Sequence, residues 1–247
     1  MSDGFFLADL ADTVTVGDTV TLSGREGHHA SVVRRIAVGE RVTLADGHGL
    51  GVRGPVTATR KDGLDVQVDE VLHAPAPRPR FVCVQAIPKN DRVEQAIDLL
   101  TEVGVDEIVP WQASRSIVRW QGERGEKAHA KWVTTAREAA KQSRRLRVPK
   151  VAPLATTAEV AERLRRAECA YALHESATTA IVEQRPAGAD VVFVIGPEGG
   201  IAPDELAAFE AAGAIPVLMG ETVLRTSTAG GVALVQLRLL TELGRGA

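Results

Sequence analysis

Two stretches decide how this chain folds: VVFVIGPEGGIAPDEL (Val191–Leu206) and, about a dozen residues later, LMGETVLRTSTAGGVAL (Leu218–Leu234). Each reads as an apolar strand ending in glycine, then a polar loop, then a helix. Glycine-rich loops after strands usually cradle phosphates, yet this one carries Glu198, which phosphate repels. Spacing excludes the familiar phosphate sites. No G-x-x-x-x-G-K-[ST] run occurs, and in GPEGG the residues Pro197 and Glu198 occupy the positions where G-x-G-x-x-G lets backbone approach a ligand. The dipole of a helix starting near Pro203 favours a nearby carboxylate. A ligand beside that carboxylate is neutral or cationic, such as a nucleoside without phosphates. Taken singly, the glycines are turn residues, and Thr226, Ser227 and Thr228 are helix caps. Taken together, two glycine-ended strands form a paired crevice at the carboxyl ends of an open sheet.

The same alternation extends outward. Strands are expected at FVCVQAI (81–87), DEIVPW (106–111), CAYALH (169–174), VVFVIG (191–196) and IPVLMG (215–220). Helices are expected at 90–104 with Asn90 as N-cap and Gly104 as stop, at about 123–145, at 158–167, at 203–213 and at about 228–243. Strands alternating with helices predict a parallel sheet covered on both faces. Upstream, APAPRPR (Ala74–Arg80) is an extended linker, because alternate prolines exclude helix and central strand. Before it lie short alternating runs broken by glycine turns, which predict a small antiparallel barrel of about 70 residues. Its one helix candidate is HHASVVRRIAVG (28–39), stopped by Gly39. The division is therefore 1–74, a linker at 75–80, and 81–247.

At 247 residues with 45% hydrophobic and 25% charged side chains, the composition is that of a soluble globular protein. The first residues lack a basic, apolar leader, and no apolar run nears the roughly 20 residues of a membrane span. The expected setting is cytoplasmic, with no membrane partner. Cys83 and Cys169 sit in apolar runs and read as buried thiols, with no metal-ligand spacing. Basic and acidic side chains number 7 and 11 in residues 1–74, 15 and 9 in 75–150, and 7 and 12 in 151–247. Only the middle third is basic, most densely in AREAAKQSRRLRVPK (136–150), which carries one acid, Glu138. A polyanion site there competes with a solvated helix face.

IGPEGG followed by LMGETVLRTSTA resembles the SPOUT class of S-adenosylmethionine-dependent RNA methyltransferases. More narrowly, it is similar to the bacterial 16S ribosomal RNA uridine N3-methyltransferase family. HHASVVRRIAVGERVTLADG, KNDRVEQAIDLLTEVGV and EAAKQSRRLRVPKV extend the likeness over most of the chain. The resemblance implies an α/β fold with a parallel sheet and a C-terminal trefoil knot, preceded by a PUA-like β-barrel that binds RNA. It implies S-adenosylmethionine held by Leu173, His174, Ile195, Gly196, Gly200, Leu218, Met219, Gly220, Val223, Leu224, Arg225, Thr226 and Thr228. RNA contacts are expected from His28, Arg34, Arg35, Arg144, Arg145 and Arg147. The partners implied are 16S rRNA in the small ribosomal subunit and a second copy of the chain. Arg144 stands where the family often has glycine.

N3 of uracil is weakly acidic, so its methylation needs help in losing a proton or in stabilising the anion. Arg225, between Leu224 and Thr226, is the candidate cation for that charge. Glu138 is a candidate base or an ion-pair partner. The final helix is apolar nearly all round, so one side packs on the sheet and the other needs a partner, in keeping with a homodimer. Two other readings remain. One is a ribose 2′-O-methyltransferase of the same fold acting on rRNA or tRNA, although its N-L-G-x-x-x-R-T and S-L-N-V-S-V-A stretches are missing. The other is a non-catalytic RNA-binding factor in ribosome assembly.

Overall fold

The computed structural model describes residues 3–89 and 92–245, in two compact units. Asn90, expected as a helix cap, lies outside the described residues. One unit is 1–76 together with 140–148, and the other is 77–139 together with 149–247. The basic segment after the long helix thus belongs to the N-terminal unit. Chain order alone had assigned it to the other.

In the first unit, β1 (Gly4–Leu7), β2 (Thr19–Leu22), β3 (Arg41–Ala45), β4 (Leu50–Arg60), β5 (Gly63–Gln67) and β6 (Glu70–His73) make one sheet. Its order is β1-β3-β4-β5-β2, with β6 also on β4. The long β4 serves three neighbours because its pairing shifts between Val56 and Ala58. The other ladders are antiparallel as expected, but β1 runs parallel to β3. Phe6, Leu22, Val42, Leu44, Val52, Leu64 and Val66 fill the core.

The expected helix over 28–39 is instead α1 (Gly24–His28) and a wider π-type turn over His29–Val33. Gly39 does not stop it. Arg35 takes a left-handed conformation (φ 53°), and the Ile36 N–H closes the end on the Ala30 carbonyl at 3.0 Å. Gly27 is obligatory here: a Cβ would lie 2.6 Å from the carbonyl oxygens of Leu22 and Asp62.

Segment 140–148 is pinned into this unit by its own basic side chains. Lys141 pairs with Glu26 at 2.8 Å, both nearly buried. Arg147 donates to the Ala74 carbonyl at 2.9 Å and lies beside the Gly47–Gly49 turn. Arg144 has φ 55°, in the region that favours glycine, which accounts physically for the glycine common at this place.

The second unit is an all-parallel sheet of β7 (Arg80–Ala86), β8 (Glu107–Trp111), β9 (Lys150–Val151), β10 (Cys169–Leu173), β11 (Asp190–Ile195) and β12 (Ile215–Val217), ordered β12-β10-β11-β7-β8-β9. Alternation along each strand feeds two cores. Val82, Val84, Val192 and Val194 face one with Trp111 and Phe209, while Phe81, Cys83, Val191 and Phe193 face the other with Trp132 and Leu237. Around the sheet lie α2 (Val93–Glu102), α3 (Gly122–Gln142), α4 (Thr157–Arg166), α5 (Pro203–Ala211) and α6 (Thr226–Arg245). Cys83 is buried as expected, and burial pushes its thiol pKa well up. Cys169, at the first position of β10, is only half-buried, and its sulfur meets the N–H and carbonyl of Ala187.

Among the described residues, no helix is long and apolar enough to cross a membrane. The left-handed backbone at Arg144 makes a stability prediction. Arg144→Gly should leave urea-unfolding stability within about 1 kcal/mol of wild type or raise it, whereas β-branched Arg144→Val should lower it by about 1–2 kcal/mol. Equal stabilities for the two variants would show that position 144 is not held in that conformation.

Candidate functional site

Leu173, Ile195 and Val217 are the last residues of three neighbouring strands, β10, β11 and β12. A cavity of about 610 Å³ opens at this carboxyl edge, within the size range of small-molecule sites. Every residue expected to hold a cofactor lines it except Thr228. The walls come from Leu173 and His174 after β10, Ile195, Gly196 and Gly200 around β11, and Leu218, Met219 and Gly220 after β12. The run Val223–Thr226 closes the site ahead of α6.

Thr228 instead turns its hydroxyl onto the Arg225 carbonyl at 3.2 Å. The expected hydroxyl capping of the last helix does not form. Ser227 Oγ donates to Gln95 Oε1 at 3.0 Å, and Thr226 is already the first residue of α6. What fixes this helix start is Gln85, fully buried in β7, whose amide donates to the carbonyls of Ala86 (3.1 Å) and Thr226 (3.3 Å). A polar residue inside the apolar run VCVQAI was the signal for it in the sequence. Gly230 and Gly231 lie within α6 and not in a turn. A Cβ on Gly231 would come 2.4 Å from Leu99 of α2, so these glycines let the two helices touch.

The GPEGG loop folds on itself. The Gly200 N–H donates to the Pro197 carbonyl at 2.8 Å, with φ 73° at Gly200. A Cβ on Gly196 would sit 2.9 Å from Ile201 Cγ1. Glu198 Oε1 accepts the backbone N–H of Lys89 at 3.0 Å and ties the loop to the chain after β7. From the other side Arg115 donates to the Gly199 carbonyl at 3.0 Å. Behind the loop, the nearly buried carboxylate of Glu205 accepts from Ser114 N (2.8 Å), Ala202 N (3.1 Å) and Thr157 Oγ1 (3.0 Å). Sequence reading found neither Arg115 nor Glu205, because their partners lie far along the chain.

The cavity balances charges of both signs. Glu175, Glu198 and Glu221 line it, as do Arg92 and Arg225. Arg225 is exposed at the wall, and among the described residues no carboxylate pairs with its guanidinium. Its backbone carbonyl receives the N–H groups of Thr228 and Ala229, so the residue is anchored while its side chain is not. His174 Nδ1 faces the Ser176 N–H (3.3 Å) and hydroxyl (2.8 Å). A backbone N–H only donates, so Nδ1 accepts and the neutral ring carries its proton on Nε2. Glu138 lies on an exposed face of α3 and does not line the cavity.

A family model of the RNA methyltransferase domain matches residues 75–238. The chain is 44% identical over 243 residues to ribosomal RNA small subunit methyltransferase E of Mycobacterium tuberculosis, covering 96% of this chain and 92% of that one. It belongs to that RNA methyltransferase family. The Bacillus subtilis relative of the same name is 29% identical over 251 residues, covering 98% of both chains. Among solved structures, ribosomal RNA small subunit methyltransferase E from Neisseria gonorrhoeae, bound to S-adenosylmethionine, is 26% identical. It superimposes with a TM-score of 0.84 over 97% of this chain and 98% of that one. A Legionella pneumophila protein solved with the same cofactor gives the same identity, coverage and TM-score.

In this methyltransferase the Glu205 network underlies the cavity loop, which generates a prediction. Glu205→Ala leaves three donors without their acceptor and should cost about 3 kcal/mol or more in urea unfolding. Glu205→Gln, with one carbonyl oxygen left, should lose less. A stability of Glu205→Ala within about 0.5 kcal/mol of wild type would show that these bonds contribute little to the fold.

Proposed function

We propose that this protein methylates N3 of a uridine in 16S ribosomal RNA, with S-adenosylmethionine as methyl donor. Membership in the methyltransferase family supports rRNA methyl transfer, and the uridine N3 position rests on the sequence resemblance described above. The observation that carries the chemistry is the anchored, carboxylate-free Arg225 at the wall of the cavity.

The residues present fit the cofactor. Leu173, Ile195, Leu218, Met219 and Leu224 give the apolar surface that a nucleoside needs, and Gly196 and Gly200 keep side chains out of its space. Glu175, Glu198 and Glu221 favour a cationic sulfonium over a phosphate beside them. When bound, S-adenosylmethionine would supply the methyl group, leaving as neutral S-adenosylhomocysteine while N3 bonds to the methyl carbon and gives up its proton to solvent. Arg225 stabilises the charge that gathers on the uracil oxygens as that proton leaves. His174, with its proton on Nε2, serves as a hydrogen-bond donor of the cavity wall.

The RNA-binding surface is carried mainly by the first unit, which we take to be PUA-like. His28, Arg34 and Arg35 are exposed beside the α1 turn. Of the three arginines expected in the basic segment, Arg144 is exposed with one guanidinium nitrogen on the Asp3 carbonyl at 3.3 Å, Arg145 is half-buried, and Arg147 is half-buried and held by the Ala74 carbonyl. Of these three, Arg144 therefore carries most of the phosphate contact.

The trefoil knot is supported by the path after β12. Leu218 exchanges backbone bonds with Thr179 (2.9 Å) and Ile181 (2.9 Å), and the chain then returns as α6 against α2. A homodimer is supported by α6, whose Val232, Val235, Leu239 and Leu243 form an exposed apolar stripe. Beside its C-terminal half lies a groove of about 750 Å³, bounded by Val182 and Arg185–Gly188. Neither a ribose 2′-O-methyltransferase nor a non-catalytic assembly factor is favoured by the family relationship.

Arg225→Ala should lower turnover on rRNA about 100- to 1000-fold while the fold and S-adenosylmethionine binding persist. Arg225→Lys should restore only part, since a point charge does not reproduce the planar fork. Near-normal turnover of Arg225→Ala at saturating RNA would remove its catalytic role. Mapping the methyl group on rRNA from a deletion strain and its complement tests the N3 assignment directly.

A further inference from the structure

Between β8 and α3 the chain forms a loop, QASRSIVRWQ (112–121), that projects Ile117 into solvent at 67% exposure. The loop is nonetheless held. The Gln112 amide spans it, donating to the Val118 carbonyl at 3.1 Å and accepting the Trp120 N–H at 3.0 Å. Arg119 donates to the Ser114 carbonyl at 2.9 Å, and the Ser114 N–H is fixed by Glu205. Arg115 then ties the loop to the Gly199 carbonyl of the cavity wall. Ile117 is two residues beyond that tie, within about 7 Å of chain. Between 112 and 121 there are two arginines and no acid. Among the described residues no carboxylate pairs with either arginine.

We propose that this loop is a second RNA-contacting element, placed at the mouth of the cavity. In it Ile117 packs on the base beside the target uridine and Arg119 takes an adjacent phosphate. The proposal rests on the RNA methyltransferase reading. N3 lies on the Watson–Crick edge of uracil, so a paired or stacked uridine does not present it to a methyl donor. An apolar side chain beside the cavity covers the neighbouring base face when the target nucleotide leaves its stack. Because the loop is already held by Gln112, Arg115 and Ser114, binding orders little further chain. The setting distinguishes it from the α6 stripe. Ile117 stands between two cations, which suits a polyanion, whereas the stripe is continuous apolar surface that suits a second copy of the chain.

The test uses the full-length protein and an rRNA fragment with 2-aminopurine beside the target uridine. Ile117→Asp should raise the KM for RNA about tenfold or more. It should also abolish the 2-aminopurine fluorescence change seen with wild type, while leaving S-adenosylmethionine affinity and thermal unfolding unaltered. Arg119→Ala should reduce the slope of log affinity against log salt by about 1. Unchanged RNA affinity, fluorescence and salt slope in both variants would overturn the proposal. So would conversion of a dimer to a monomer by Ile117→Asp, which would assign the loop to a second copy. If wild type fails to methylate rRNA, the parent reading fails separately. RNA affinity and the fluorescence signal then decide the loop's role on their own.

Discussion

The last helix must leave edge strand β12 and come to rest against α2, over the middle of the sheet, and the site depends on that return. Two features permit it. Gly230 and Gly231 remove the side chains that would collide with Leu99 and Leu100. The buried Gln85 amide takes the Thr226 carbonyl, which a helix start leaves available only to its own next turn. With α6 so fixed, Val223–Thr226 is stretched across the ends of β10, β11 and β12 and becomes the fourth wall of the cavity. An all-parallel sheet supplies the other three, because its strands end side by side.

The carboxylate in the glycine loop is explained by two properties together. Structurally, Glu198 ties the loop to the chain after β7 through the Lys89 N–H. Electrostatically, it joins Glu175 and Glu221 as the acidic members of a lining that also carries Arg92 and Arg225. The Gly200 N–H closes onto the Pro197 carbonyl of the same loop and is not left for a ligand, as the N–H groups of phosphate loops are.

Charge runs in a sequence do not say which charges are free. The basic segment 140–148 looks uniform when written out, but its members have separate tasks. Lys141 is an ion-pair partner of Glu26, Arg147 a backbone donor to Ala74, and Arg144 an exposed cation on strained backbone. The loop 112–121, less conspicuous in charge, holds Arg115 against the Gly199 carbonyl of the cavity wall.

Continuous apolar runs such as VVFVI and FVCV, alternating with helices along the chain, determined the parallel sheet by themselves, since a strand apolar on both faces needs cover on both. Glycine after strands placed the cavity loops, and the two glycine-ended loops line one cavity; the thirteen cofactor positions, twelve of which line it, came from the family resemblance. Local signals carry such features because they depend on residues a few positions apart. The remainder depended on partners distant in sequence. Glu205 meets Ser114 across 91 positions, Gln85 meets Thr226 across 141, and Lys141 meets Glu26 across 115. The parallel pairing of β1 with β3 is of the same kind. Only packing decided them, because each is chosen by what lies opposite in space and not by what lies next in the chain.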